Sequence, residues 1–336
     1  MGMEVPMGKA HTQLLKEINL GNVRRAMRTA GSATKPELAE ATGLSVVTIA
    51  SLVKELIQIG EIYEGKAAHS TGGRPPVTYH YNYDICMALL VILHEHKEEV
   101  LVSVINLNGD ALKKQTHVVA NFDVDAICIL VDEYVAAYPA IKMIGMGIPG
   151  QQVDGEMKVS SHEKLIGARL TETIQQRCAL PVWWENDINA ALSGYCAKYP
   201  PNEGESVIGL FFPEHRPPGS AMYIDGKLFK GKNGMAGEIK FLPVDVDWYQ
   251  PLESRRFTEF VCYTLQLLNA VLAPDKIIIY QHRCNKEELL AAWQAHEHDH
   301  PMPVSPKVIV SDGFGADFLR GLKAMVLRGL EENAYE

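Results

Sequence analysis

The chain has 336 residues, 47% of them hydrophobic and 22% charged, with a formal net charge of −9. That is room for two or three domains around a substantial core, in the composition of an ordinary globular chain. Six scattered cysteines with no Cys-x-x-Cys exclude a zinc ribbon and read as reduced thiols. With no signal-like N-terminus and no apolar run of about 18 residues, a cytoplasmic protein without a membrane partner is expected.

In chain order, residues 11–30 read as a helix. Leu14, Leu15, Ile18, Val23, Met27 and Ala30 lie mostly on one side, and Arg24, Arg25 and Arg28 on the other, facing either solvent or phosphate. A second helix is expected at Thr34, where Thr34 and Glu37 suit a capping box and Pro36 sits in the first turn; Gly43 stops it. Ser45 then caps a third helix in which Ile49, Leu52, Val53, Leu56 and Ile57 form one apolar stripe, ended by Gly60. Residues 61–64 and 78–81 are β-prone. The Ser-Thr-Gly-Gly-Arg-Pro-Pro stretch at 70–76 between them reads as a wing tip, with Arg74 held extended between Gly73 and Pro75.

Helix, glycine turn, amphipathic helix and wing in this order predict a winged helix-turn-helix over residues 1–82. This segment carries nine Lys and Arg against seven Asp and Glu, whereas the remainder carries 23 against 34, so an acidic body masks a mildly basic head. The expected partner is double-stranded DNA, bound in a salt-sensitive way by a homodimer or tetramer on an inverted repeat. The candidate DNA-binding residues are Ser45, Val46, Val47, Thr48 and Ser51 on the third helix, and Arg74 on the wing. Thr48 and Ser51 can donate or accept, the valines can pack on thymine methyls, and Arg74 suits an A·T-rich minor groove.

Residues 83–336 alternate strands and helices. Strands are expected at 88–93, 100–106, 141–147, 182–184, 207–212, 221–224, 276–280 and 308–310; helices at 123–138, 167–179, 187–198, 254–272, 285–297 and 315–330. This is an α/β pattern with a mixed sheet. Asn108-Gly109-Asp110 and Asp225-Gly226-Lys227 read as hairpin turns. The halves, split near 195, each open with strand–turn–strand, which predicts two related lobes and a cleft suited to a ligand. Trp183 and Trp184 read as a buried strand end, and His94 and His96 as surface strand residues. The tract from His296 to His300 precedes Pro301 and Pro303 and reads as a surface loop in preference to a metal site. Taken alone, Asp187 reads as the N-cap of helix 187–198, with Asn186 in the turn.

Three further stretches, with the head, carry a family resemblance: Gly147-Ile148-Pro149-Gly150, Glu185-Asn186-Asp187-Ile188-Asn189-Ala190-Ala191, and the run at 226–239 ending in Gly237-Glu238-Ile239. Together they resemble the ROK family of repressors, open reading frames and sugar kinases. The resemblance implies an actin-like (ribonuclease H-like) fold in both lobes. In the family's kinases the aspartate matching Asp187 takes a proton from the sugar, and the residues matching Asn186 and Glu238 hold its hydroxyls, a role suited to carboxylate and amide. The departures from the kinase pattern lie in its other motifs. The first phosphate loop is replaced by His-Glu-His-Lys-Glu at 94–98, the second by His-Arg-Pro-Pro-Gly at 215–219, and the nucleotide glycines by Tyr280-Gln281-His282. Lys240 and Phe241 stand where the family's zinc motif has Gly and His, and 242–261 holds no cysteine. The resemblance therefore implies a transcriptional regulator, a repressor, that senses a sugar or sugar derivative. No kinase activity, cofactor or metal is expected. The alternatives are an effector-independent DNA-binding protein and, behind it, an active sugar kinase.

Overall fold

The computed structural model describes residues 7–65, 77–94, 98–214, 216–250 and 252–333. The chain divides into two compact units, Met1–Cys86 with Asn106–Asn108, and Met87–Ile105 with Gly109–Glu336.

In the first unit the elements run α1 (Met7–Ala30), β1 (Ser32–Thr34), α2 (Lys35–Thr42), α3 (Val46–Gln58), β2 (Ile62–Glu64) and β3 (Thr78–Tyr81). The capping box forms: the Thr34 N–H donates to Glu37 Oε2 at 2.7 Å, and the Glu37 N–H to Thr34 Oγ1 at 3.4 Å. The Thr34 N–H, with the Thr34 hydroxyl that donates to the same oxygen at 2.8 Å, holds the Glu37 carboxyl below its ordinary pKa. Gly43 closes α2 in the left-handed region at φ 70°, and Ser45 caps α3. Strand β1, absent from the sequence reading, pairs with β3, giving the order β1-β3-β2. Val23, Met27, Leu38, Ile49, Leu56 and Tyr79 are among the residues of one core.

Two expectations for α1 fail. Leu14, Leu15 and Ile18 are about half exposed; of the expected apolar side the core takes Val23 and Met27, joined by Leu20. Arg24 does not face phosphate: it makes a two-pronged pair with Glu61 at 2.6 Å per bond, with both side chains largely withdrawn from water. The wing tip with Arg74 lies outside the described residues.

The second unit begins with β4 (Met87–Leu93), β5 (Glu99–Asn106) and β6 (Ala111–Val118), then α4 (Val124–Ala137), β7 (Ile141–Ile148), the hairpin β8 (Gly150–Val153) and β9 (Glu156–Ser160), α5 (Leu170–Cys178), β10 (Val182–Asn186) and α6 (Asp187–Lys198). It continues with β11 (Val207–Phe212), β12 (Gly219–Ile224), β13 (Lys227–Leu228), α7 (Ser254–Leu272), β14 (Lys276–Gln281), α8 (Lys286–Asp299), β15 (Lys307–Ser311) and α9 (Phe314–Asn333). The sheet orders are β10-β7-β4-β5-β6 and β13-β12-β11-β14-β15. Read outward from β4 and from β11, the two orders are the same topology. Residue 195 falls inside α6, and the second sheet starts at Val207.

Each sheet packs one face on its own helices. Leu89, Val91, Val102 and Ile144 meet Ile127 and Val131 of α4; Ile208, Leu210 and Ile277 meet Phe257 and Leu265 of α7. The third helices lie between the sheets. A Cβ on Gly194 of α6 would stand 1.9 Å from the Asp317 carbonyl oxygen, and one on Gly321 of α9 would stand 1.9 Å from that of Ala190. The two helices therefore cross backbone to backbone, which only glycine permits.

Three local expectations are corrected. The histidine tract is helical to Asp299, with the His296 and His300 rings stacked at 4.3 Å, because the prolines end the helix without unwinding the turn before them. Trp183 and Trp184 are half-buried on an edge strand. The cap of α6 is Asn186, the last residue of β10, and Asp187 is the first helical residue.

Candidate functional site

On α3 the apolar stripe faces inward: Ile49, Leu52, Val53 and Leu56 are buried, with Ile57 half-buried. The opposite face is Val47, Ser51, Lys54 and Gln58, at the spacing of one helix side, and Val47 is 82% exposed. Val46 is also exposed. The Ser45 and Thr48 hydroxyls bond one another at 2.9 Å, and Ser45 Oγ accepts from the Thr48 N–H at 3.1 Å, so Ser45 is engaged as a cap. Lys54 was not singled out from sequence, although it is simply the complement of the apolar stripe. It adds a cation to the outward face.

The body holds a cleft of about 110 Å³ between its lobes, and Asn186, Asp187 and Glu238 all line it. The β10–α6 junction supplies the first two. Asn186 Oδ1 accepts from the Ile188 and Asn189 N–H groups at 3.1 and 3.4 Å, and its Nδ2 donates to the Gly150 carbonyl at 2.9 Å. Its amide is thus largely committed to the fold. Asp187 Oδ1 accepts from the Ile188 N–H at 2.8 Å, which points its carboxylate along the helix start into the cleft. Beneath them, buried Glu185 accepts from the Asn186 N–H and from Asn189 Nδ2, each at 3.1 Å, and pairs with Lys230 of the other lobe at 2.7 Å.

Glu238 is placed by its neighbour. Ser220 of β12 donates from both N–H and Oγ to the Gly237 carbonyl at 3.0 and 2.8 Å. At φ 87°, a side chain on Gly237 would meet the Ser220 carbonyl oxygen at 2.4 Å. Glu238 pairs with Lys240 at 3.4 Å. From the 213–219 segment, Arg216 Nη1 donates across the cleft to the Ser161 carbonyl at 2.7 Å. Next to Ser161, His162 stacks on Phe122 at 4.1 Å, and burial holds its imidazole below its ordinary pKa. The cleft thus sets two carboxylates against two cations around backbone and hydroxyl groups, a lining able to read a polyhydroxylated ring.

Arg216, Ser160, Ser161 and Tyr249 line this cleft without having been identified from sequence. Their contacts cross tens of residues, and only the Asp154-Gly155 turn, a hairpin signal, could have found the β8–β9 arm that carries two of them.

The residues do not fit the groups that a kinase of this resemblance would hold. Phe241, which has no donor atom, stands where the zinc motif has its His, Lys240 brings an ammonium beside Glu238, and among the described residues no three His, Cys, Asp or Glu are grouped to hold a metal. Pro217 and Pro218 have no N–H to offer a phosphate. The centre of the 94–98 stretch and His215 lie outside the described residues.

Residues 97–263 match the ROK family profile. The xylose repressor of Caldicellulosiruptor bescii is 26% identical over 243 residues, covering 68% of this chain and 59% of that protein. The DNA-binding transcriptional dual regulator NagC of Escherichia coli is 22% identical over 254 residues, covering 71% of this chain and 61% of that protein. The matched part of the chain thus spans about three-fifths of these relatives. A crystal structure of a ROK family transcriptional regulator, a homologue of the E. coli MLC protein, superposes with a TM-score of 0.60 at 17% identity over 96% of this chain and 99% of that one. The ROK hexokinase of Thermus thermophilus superposes with a TM-score of 0.56 at 14% identity over 72% of this chain and 99% of that one. At these identities the likeness shows the fold: the two-lobed, actin-like architecture common to ROK regulators and ROK sugar kinases.

Proposed function

We propose that this chain is a transcriptional repressor of the ROK type. Its N-terminal unit reads an inverted-repeat operator as a homodimer or tetramer, and its body senses a sugar or sugar derivative in the cytoplasm without phosphorylating it. The observation that carries the reading is α3: a capped helix that buries one apolar stripe and turns Val47, Ser51, Lys54 and Gln58 outward, in a chain that also matches the ROK family profile. The repressor names of the relatives support it. Asn186, Asp187 and Glu238 are assigned to the sugar, and Val46, Val47, Thr48, Ser51, Lys54 and Arg74 to DNA, with Ser45 holding the helix start. An effector-free regulator is the second reading, favoured by the committed Asn186 amide and the Glu238–Lys240 pair.

Selection of bound sequences from random duplex DNA, followed by anisotropy titration at several salt concentrations, tests the DNA arm. Arg74→Ala should weaken operator binding by roughly 1–3 kcal/mol and relax the A·T preference at its flank, while Lys54→Ala should lower affinity more evenly across sequences. Absence of any sequence preference would sink the proposal. Titration with Mg-ATP should give no heat; sugar phosphorylation lost in Asp187→Asn would restore the kinase reading.

A further inference from the structure

Asp187 and Pro149 each line two cavities. One is the polar cleft described above. The other, about 400 Å³, lies on the far side of the same carboxylate, between the end of β4, the start of β5 and the start of α9. Its chemistry is different. Ile92, Leu93 and Phe318 are buried and form apolar wall, joined by Leu101, Phe314 and Leu319. Polar side chains enter from exposed positions, among them Lys114 and Thr116 on β6.

An aromatic pair borders the two cavities. Phe211 lines the polar cleft and Phe314 the second cavity, and their rings stack at 3.8 Å with an interplanar angle of 11°. Phe314 is held from behind by the edge of Tyr280 at 5.4 Å. A phosphate chain would find a poor site here, since the wall is hydrocarbon and Glu99 and Asp187 both present carboxylates. A ring or alkyl chain would find apolar surface that releases water on contact.

We propose that the second cavity holds the aglycone of a glycoside whose sugar ring occupies the polar cleft, so that the effector class is an aryl or alkyl glycoside in preference to a free sugar. Asp187 and Pro149 line both cavities, which places the two side by side and assigns the occupant: one molecule reaching past these residues, polyol on one side and apolar group on the other. This rests on the sugar-sensing reading above.

Gly315 permits a direct test. It lines the second cavity in the first turn of α9, and a Cβ there meets nothing within 4 Å. Gly315→Leu therefore starts its side chain in open space at the cavity lining, and leucine is a good helix former. The full-length protein is titrated calorimetrically with a panel of para-nitrophenyl glycosides, the matching free sugars and para-nitrophenol. For one sugar, the glycoside should bind at least about tenfold more tightly than the free sugar. Gly315→Leu should abolish that increment while leaving the free-sugar affinity within about twofold, Gly315→Ser should preserve it, and Asp187→Ala should remove both modes of binding. Equal affinity for sugar and glycoside, or an increment that survives Gly315→Leu, overturns the proposal and leaves sugar sensing intact. Binding of neither class removes the sensing reading and this proposal with it. Mg-ATP binding lost in Gly315→Leu would make the cavity a nucleotide site and overturn it as well.

Discussion

The two lobes of the body are one topology used twice, and their strand–helix junctions have diverged into opposite chemistries. At the end of β10, Asn186 caps α6, Glu185 is bonded beneath it, and Asp187 projects into the polar cleft. At the matching end of β15 there is no such cap: Gly313 donates its N–H to Ser311 Oγ, and Phe314 opens α9 by stacking on Phe211. The acidic residue of that helix, Asp317, is turned inward, accepting from the Tyr280 hydroxyl at 3.0 Å and pairing with Arg320 at 2.5 Å. A fold that repeats itself does not repeat its chemistry. One junction is built around a carboxylate facing the cleft, and its counterpart around a ring.

What the lobes still share is the crossing of α6 and α9, and breaking it should have the largest effect. Gly321→Ala forces a methyl into the Ala190 carbonyl, which should cost about 2–3 kcal/mol in chemical denaturation. Gly315→Ala, six residues earlier on the same helix, meets no neighbour and should be neutral or stabilising by up to about 1 kcal/mol. Similar losses for both would mean that the helices do not cross backbone to backbone.

A smaller effect is expected at the polar junction. Asn186→Ala removes the cap of α6 and leaves the Gly150 carbonyl without its amide partner, which should cost about 1–2 kcal/mol. Asp187→Ala should change the melting temperature little. If the two variants were equally destabilising, Asp187 would be a structural residue and not a ligand group.

How far the sequence revealed this molecule depended on the range of each interaction. The capping box of Thr34 and Glu37, the Gly43 stop and the α3 stripe were legible because each is settled within about four residues. The duplicated lobes were legible from the Asn108-Gly109 and Asp225-Gly226 turns. The β8–β9 hairpin carries the same signal at Asp154-Gly155, yet its strands are short and polar, with Gln151 and Gln152 buried, and periodicity could not reveal them. Strand β6 is exposed along nearly its whole length and lacks the apolar alternation that marks a strand. Contacts that depend on the assembled fold stayed hidden: Arg24 with Glu61, Arg216 with Ser161, and Lys230 with Glu185. So did the second cavity, whose walls come from five separate stretches of chain, 92–101, 114–116, Pro149, Asp187 and 314–319.

The smallest expected effect concerns how each sheet begins. In the first lobe the starts of β4 and β7 are tied by backbone, through the Met87 N–H and the Ala140 carbonyl at 2.8 Å. In the second lobe the starts of β11 and β14 are also tied by backbone, the Asp275 and Lys276 N–H groups donating to the Ser206 carbonyl at 3.1 and 3.2 Å, but charge is added to that tie. Glu205 accepts from Lys276 Nζ at 2.6 Å and from the Asn202 amide at 2.6 Å, and Asp275 accepts from Ser206 N–H at 2.8 Å. The Lys276 ammonium, aided by Asn202, holds the Glu205 carboxyl down to about 2, against an ordinary value of 4.5. Because the folded value is depressed, the stabilisation is complete above the ordinary value and is lost as pH falls toward the folded one. The backbone tie of the first lobe has no such dependence. Acidification from about pH 5.5 to about pH 3 should therefore loosen the second lobe's sheet edge before the first's. Hydrogen exchange, expressed as protection factors to remove the intrinsic pH dependence, should show protection falling at 207–209 and 276–278 while it holds at 87–89 and 141–144. Glu205→Gln should abolish the difference between the two pH values by removing the titrating group. Equal loss in both lobes, or a pH response that persists in Glu205→Gln, would show that the ion pair does not secure the second sheet.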